Sequence, residues 1–188
     1  YNNASDNTDI PSNISTSRAL AKYHTSGTTT ITIASGESLI IDATKTLTID
    51  SGVTLNVDTG GSLTSSGAIT KTASGATISG SGSVTFNSIA AYNAASDNSD
   101  KLIGSNISTD RTLNKYNTTG TTKVIIASGE ALTIDATKTL IIASGVTLEI
   151  TSGRTLTISS TGTLTSTDGI VDNDGIISCS GTITTSSN

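Results

Sequence analysis

Aromatic side chains are almost missing from this chain, with one phenylalanine, four tyrosines and no tryptophan among 188 residues. Only 34% of the residues are hydrophobic, so there is too little bulk to fill a thick globular core. Charge is scarce as well: Asp, Glu, Lys and Arg make up 13%, about half the usual share. With a net charge of -5 and no run of Lys or Arg, the chain is not expected to bind nucleic acid. The single cysteine, Cys179, has no internal disulfide partner. It follows Ile177 by two positions and so falls in the second inward slot of a strand, where a small buried hydrophobe is expected. No apolar stretch approaches the roughly 18 residues of a membrane span. A start at Tyr1 without any Met fits an exported chain whose leader has been removed.

What is present is a rhythm. Glu37 to Gly67 reads as ESLIIDAT, KTLTIDSG, VTLNVDTG and GSLTSSG. Each block of eight carries an apolar pair two residues apart: Leu39 and Ile41, Leu47 and Ile49, Leu55 and Val57, then Leu63 with Ser65. Alternate positions of a short strand face one way, and the Asp, Ser, Thr and Gly between pairs turn the chain. About a quarter of the residues then fill a narrow core, which Leu, Ile and Val supply without aromatics. A thin rod is expected rather than a sphere.

The rhythm occurs twice. YNNASDNTD at Tyr1 returns as YNAASDNSD at Tyr92, and SNISTSRALAKYHTSG returns as SNISTDRTLNKYNTTG. The expected organisation is a leader over 1–27 with an array over 28–91, then a second leader over 92–120 with an array over 121–188. Ile14, Leu20 and Tyr23, matched by Ile107, Leu113 and Tyr116, suit either a short capped helix or an extended strap lying along the rod. The leader is expected to act as a joint, and Tyr1 and Tyr92 belong to it. Each array loses register near its end, through GAITKTASGA and STDGIVDNDG.

Two all-β architectures use such octads. A parallel β-solenoid (β-helix) wraps its apolar face, with two or three octads to a coil. A β-sandwich or jelly-roll pair, built from antiparallel hairpins turning at the Asp-Gly phrases, is the alternative. GTTTITIASGESLIIDATKTLTIDSGVTLNVDTGG and SGVTLEITSGRTLTISSTGTLTS resemble the repeat phrases of prokaryotic secreted β-helix surface proteins, including haemagglutinin-type adhesins and extracellular fibre subunits. The resemblance covers both arrays. It implies a structural role outside the cell or on its surface and carries over no individual residue.

Chemistry has few footholds. His24 is the lone histidine, and its counterpart is Asn117, so an enzyme is not expected. Asp42, Asp50, Asp58 and Asp135 sit where turn carboxylates accept bonds from backbone N–H groups. Asp6, Asn7, Asp9, their copies Asp97, Asn98 and Asp100, and Asp172, Asn173 and Asp174 offer oxygens for calcium. They lack the spacing of an EF-hand, and no cofactor is expected. Asn3, Asn13, Asn106 and Asn117 begin glycosylation sequons, all in the leaders. Outward slots hold Thr-x-Thr pairs such as Thr155 with Thr157 and Thr163 with Thr165, a pattern that suits an ice-binding solenoid. Ile40, Ile141 and Glu149 interrupt it. Ile125 and Ile141, outward on a thin rod, read as contact surface for the leader or a neighbouring subunit.

Together these features lead to the expectation of a secreted, self-assembling subunit that adds head to tail into a surface fibre, its partner another copy of itself. A monomeric adhesin stalk that holds glycans or surfaces, or an ice-binding rod, is the alternative.

Overall fold

The computed structural model describes residues 13–14, 18–20, 28–95 and 106–186. These form a parallel β-solenoid of about six turns, carried by two compact units. The first unit comprises residues up to Thr85 together with Ala94–Asp97 and Asn117–Gly120. The second holds Phe86–Asn93, Asn98–Tyr116 and everything from Thr121 on. The division thus falls ahead of the duplication boundary at residue 91, and part of the second leader returns to the first unit.

The first unit runs through β1 (Asn13–Ile14), β2 (Arg18–Leu20), β3 (Thr29–Ile33), β4 (Ser38–Ile41), β5 (Thr46–Ile49), β6 (Val53–Val57), β7 (Ser62–Ser65), β8 (Ala68–Lys71), β9 (Thr77–Ser79) and most of β10 (Ser83–Phe86). Each strand pairs in parallel with the strand three places on, giving the sheets β1-β4-β7, β2-β5-β8 and β3-β6-β9. A turn of the coil therefore contains three strands, one on each of three faces. Ser38 pairs with Ser62 and Thr29 with Val53, so two faces share one chain offset, and that offset is three octads. Parallel pairing throughout rules out the antiparallel sandwich and jelly roll.

The second unit contains α1 (Ile89–Asn93), β11 (Asn106–Ile107), β12 (Arg111–Leu113), β13 (Thr121–Ile126), β14 (Leu132–Ile134), β15 (Thr139–Ile142), β16 (Val146–Ile150), β17 (Thr155–Ile158), β18 (Thr163–Thr167), β19 (Ile170–Asn173), β20 (Ile176–Cys179) and β21 (Thr182–Ser186). Its sheets are β13-β16-β19, β11-β14-β17-β20 and β12-β15-β18-β21.

Burial alternates along the strands as period two demands: β6 and β16 both read buried, half-buried, buried, half-buried, buried. Identical aliphatic positions stack coil on coil, as in Leu132 on Leu156 and Ile134 on Ile158, all fully buried. Ser65 and Ser166 occupy inward slots in the two copies. Each satisfies its hydroxyl by donating to the next corner, Ser65 to Gly67 O at 2.9 Å and Ser166 to Gly169 O at 2.6 Å.

The corners are four-residue turns closed by backbone, and the first carbonyl accepts from the amide three residues on. Asp42 O takes Lys45 N–H, Asp50 O takes Val53 N–H, Asp58 O takes Gly61 N–H and Asp135 O takes Lys138 N–H. At the Asp residues the closing group is thus the main-chain carbonyl. The third residue needs positive φ, which Gly52 (78°) and Gly60 (82°) supply without steric cost. Thr44 (66°), Thr137 (64°) and Thr161 (64°) hold the same conformation against their β-branched side chains.

Around Ile14, Leu20, Ile107 and Leu113 the leaders are strands of a coil, not a capped helix or a strap along the rod. In each copy the leader supplies the first coil: β11 lies on β14 with Ile107 opposite Ile134, and β12 lies on β15 with Leu113 opposite Ile142. Those registers drop Ile107 and Leu113 into the inward rows, so both are core residues. The backbone of β1 and β2 repeats the arrangement. Asn13 lies opposite Ile40 and Arg18 opposite Leu47, the same chain offsets as Asn106 to Thr133 and Arg111 to Leu140. Both offsets exceed three octads, so the first coil of each copy is wider than the regular one. Short strands joined by longer loops hide the octad from a sequence reader. The loss of register at the array ends is the opposite change, a shortening of the coil. Thr46 lies opposite Ala68 and Thr163 opposite Thr182, and each pair is closer in sequence than three octads.

Candidate functional site

In the second unit β19, β20 and β21 are the edge strands of their sheets. Their inward side chains stack in register on fully covered residues: Val171 on Leu148, Ile177 on Leu156, Cys179 on Ile158 and Ile183 on Leu164. The residues beneath are buried, yet Val171 and Ile177 are only half-buried, and Ile183 is 47% exposed. Cys179 is exposed, which corrects the expectation of a buried thiol. Its slot does point inward, but an inward slot is covered only when another coil lies over it. A cavity of about 170 Å³ opens at this end, lined by Leu164, Val171, Ile177 and Ile183 with Ser166 and Thr184. Ile170 and Ile176, 59% and 58% exposed, pair with outward-facing Thr147 and Thr155 and widen the apolar surface. Among the described residues the only other exposed large hydrophobic is Ile40.

A second site is built on the end of the first unit. Asn117, buried, donates through Nδ2 to Gly82 O at 2.9 Å and Gly80 O at 3.2 Å. Thr119 N–H also reaches Gly80 O at 3.4 Å, and Gly80 N–H donates to Thr118 Oγ1 at 3.3 Å. Gly120 lies so close to Gly82 O that a Cβ would collide with it. Residues Asn117–Gly120 thus clamp the turn that follows β9. As a glycosylation sequon, Asn117 belongs on the surface. Its amide nitrogen is instead enclosed and committed to two carbonyls, so the folded unit offers no attachment point there. Asn106 is exposed at the start of β11. Asn3 lies outside the described residues, and Asn13 is described in its backbone only.

The three described aromatics gather in the second unit. Phe86 meets Tyr92 edge-on at 5.3 Å between ring centroids and Tyr116 at 5.0 Å. Tyr92 opens the second leader in sequence but is the last but one residue of α1 and is buried. Ser88 caps this helix by accepting from Ala91 N–H at 2.9 Å. Glu130 adds its carboxylate, taking the N–H groups of Ile89 (2.9 Å), Ala90 (3.0 Å) and Ala127 (3.0 Å). Neither cap was read from the sequence, and Glu130 lies 41 residues from Ile89, beyond any local signal. Helix α1 packs on β13, the strand bearing Ile125. Ile125 and Ile141 are both half-buried, and Ile141 lies between Thr112 and Thr165 in its row. Tyr1, Tyr23 and His24 lie outside the described residues, and for Ile14 and Leu20 the backbone alone is described.

Lys123 and Glu149 face each other across β13 and β16 at 2.6 Å, with Asp172 3.9 Å from the ammonium. The Glu149 hydrogen bond, opposed by partial burial and helped by the charges of Glu149 and Asp172, holds Lys123 above its ordinary value of 10.5. Asp172 and Asn173 are consecutive in β19 and so point to opposite sides, which keeps them from converging on one ion. Asp6, Asn7, Asp9, Asp97, Asn98 and Asp100 lie outside the described residues. Among the described residues no group of three His, Cys, Asp or Glu side chains is placed to hold a metal, and no helix is long and apolar enough to cross a membrane.

On the face of β15, β18 and β21 the outward rows run Thr139, Thr163, Thr182 and Ile141, Thr165, Thr184. On the first unit Thr54 and Thr77 share a hydroxyl hydrogen bond of 2.8 Å. No protein-family model matches this chain, and no curated protein or solved structure does so either.

Proposed function

We propose that this chain is a non-enzymatic structural subunit of an extracellular filament, and that copies add to one another head to tail. The observation that carries the reading is the open coil formed by β19, β20 and β21. Parallel edge strands present N–H and C=O groups that only strands of matching direction and spacing complete, and a second copy supplies both. The inward row of Val171, Ile177 and Ile183 extends the hydrophobic incentive in the same direction. An end that differs from its partner surface makes a heterologous contact, and such contacts propagate as fibres unless rotation closes them. A hydroxyl-rich, weakly charged surface fits life outside the cell, and the half-exposed aliphatic row of β19, β20 and β21 fits assembly better than ligand recognition. Sedimentation velocity and negative-stain microscopy over a range of concentrations test the proposal. Lengthening rods are expected, and Ile183→Asp, which puts a charge at the open coil, should shift assembly to at least tenfold higher concentration. A single-chain species at every concentration would refute it.

A second reading rests on the rows Thr139-Thr163-Thr182 and Thr165-Thr184, hydroxyls stacked in register on one face. A monomer using it to bind ice would shape crystals at micromolar concentration, and Thr165→Lys would abolish the effect.

A further inference from the structure

The inward slots of an edge strand decide whether another strand can cover it, and on one face of each unit these slots hold cations. Lys71 on β8 lies opposite Ile49, and Arg111 on β12 lies opposite Leu140. Both partners are fully buried, so both cations stand in inward rows, and both are half-buried. By register Arg18 on β2, opposite Leu47, takes the place of Arg111. Strands β2 and β8 are the two edges of the sheet β2-β5-β8, and β12 is one edge of β12-β15-β18-β21. The fourth edge of this face is β21. Its inward slots hold Ile183 and Thr185, opposite Leu164 and Ser166.

A strand laid over an inward lysine or arginine encloses a charge without a partner, and that cost keeps the edge free of further strands. The two copies differ at this slot. Opposite Ile49 stands Lys71, and opposite its counterpart Ile142 stands Ser166. Ser166 is 8% exposed, turns its hydroxyl to Gly169 O and is covered by β21. Among the described residues no strand of the sheet lies over β8. The chain offset that separates Ile49 from Ile142 also separates α1 (Ile89–Asn93) from β21 (Thr182–Ser186), so these are the same five positions of the two copies. In the copy whose sheet ends on Lys71 the segment is a helix. In the copy with Ser166 it is a strand, and its β-branched Thr182, Ile183, Thr184 and Thr185 suit that state where Ala90 and Ala91 do not.

We infer that inward cations close the edges of this face, and that β21, which has none, is the edge on which a second copy adds through its strand β3. This rests on the head-to-tail reading above and names the edge and the strand. Strand β2 is the wrong one to meet β21, because Arg18 would be carried into a closed row. Strand β1 has two residues. Strand β3 is an edge of the sheet β3-β6-β9, turns Thr29, Ile31 and Ile33 inward and contains no charge. It has five residues, as β21 does, and the two read TTITI and TITTS. Ile31 and Ile33 are 8% and 7% exposed, against 1% and 0% for Leu55 and Val57 beside them, so this row is not fully covered within one copy.

Thr185→Lys gives β21 the cation that β8 has. Thr184→Lys, opposite outward-facing Thr165, adds the same charge to the other side of the strand. Both positions are exposed, so both variants are expected to melt within about 1 °C of wild type. In sedimentation velocity over a concentration series, Thr185→Lys is expected to assemble only at about tenfold higher concentration or beyond, and Thr184→Lys within about twofold of wild type. The strand is tested by disulfides in a Cys179→Ser background. Thr184→Cys is combined with Thr30→Cys or Thr32→Cys, both outward on β3, or with Thr48→Cys on β5 as a control, and mixed light and heavy-isotope protein separates links between copies from links within one. Links between copies from position 30 or 32, well above the control, are expected. If wild type assembles while the two lysine variants assemble alike, or while neither β3 cysteine exceeds the control, this inference is wrong and the filament stands. If wild type remains a single-chain species, both fall.

Discussion

Exchanging Asn117 for aspartate changes almost no volume and reverses the side chain's role. The Nδ2 group donates to Gly82 O and Gly80 O at 2.9 and 3.2 Å from a site that is 3% exposed. Aspartate puts an anionic oxygen against those two carbonyl oxygens. Two buried hydrogen bonds are lost at about 1 kcal/mol each, and a charge without a partner is enclosed, for a total of about 3–5 kcal/mol at pH 7. For a chain of this length that lowers the melting temperature by about 6–20 °C. Asn117→Ala should cost less, about 1–2 kcal/mol, because it also removes Asn117 Oδ1, a buried acceptor without a partner among the described residues. The aspartate penalty has a pH signature. Repulsion raises the carboxyl pKa in the folded state above its unfolded value of about 3.9, so the charge penalty is present above that value and disappears below it. Thermal scans of wild type and both variants between about pH 3.5 and about pH 7 read the effect. An Asn117→Asp variant that melts within about 1 °C of wild type at neutral pH, or an alanine variant less stable than the aspartate one, would show that Asn117 is not a donor clamp.

Three further outcomes follow from the geometry. Thr44→Gly relieves a β-branched residue at φ 66° in an exposed corner and should raise stability by about 0.5–1 kcal/mol in urea unfolding, after the extra flexibility of the unfolded chain is subtracted. Leu164→Ala should cost about 2–4 kcal/mol and Ile183→Ala less than about 1 in dilute protein, although the two stack in register, because one coil is covered and the next is open; equal losses would mean that the open coil is covered in the monomer. Lys123 is held above its ordinary value, so its contribution is fully present below pH 10.5 and is lost as pH rises through the higher folded value. Between pH 10 and 12 the wild type should therefore lose melting temperature faster than Lys123→Gln, and parallel curves would dismiss the pair.

How far the fold was readable depended on the range of the interaction concerned. Leu47, Ile49, Leu55 and Val57 announced inward slots because strand alternation and a corner are settled within one octad. Three strands per turn were not readable, since Ser38 chooses Ser62 as its neighbour through the closure of a whole coil. The leaders looked non-repetitive because β11 and β12 are two and three residues long, too short to show a period, and Ile107 and Leu113 are fixed by the coil they rest on. The slot of Cys179 was legible and its exposure was not, since slot direction is local and coverage is not. Asn117 read as a surface sequon because the carbonyls it serves lie 35 and 37 residues away. The open end itself could be suspected from the aliphatic strands near residue 183, but its extent needed the registers.

The second unit tapers, and a taper bears on size control. Down the face β12, β15, β18 and β21, Arg111 pairs with Leu140, Thr139 with Thr163 and Thr163 with Thr182. The coil thus begins wider than three octads, passes through three octads and ends narrower, losing the same length of chain at each step. A stack that contracts by equal steps works as a ruler, for a further step of the same size would leave too little chain for three strands and three corners. Growth past that point calls for a fresh wide coil, and among the described residues the leader strands β1, β2, β11 and β12 open such coils. If copies join head to tail as proposed, filament length would be counted in whole leaders, and the spacing along the fibre would be set by geometry before any chemistry at the joint takes effect.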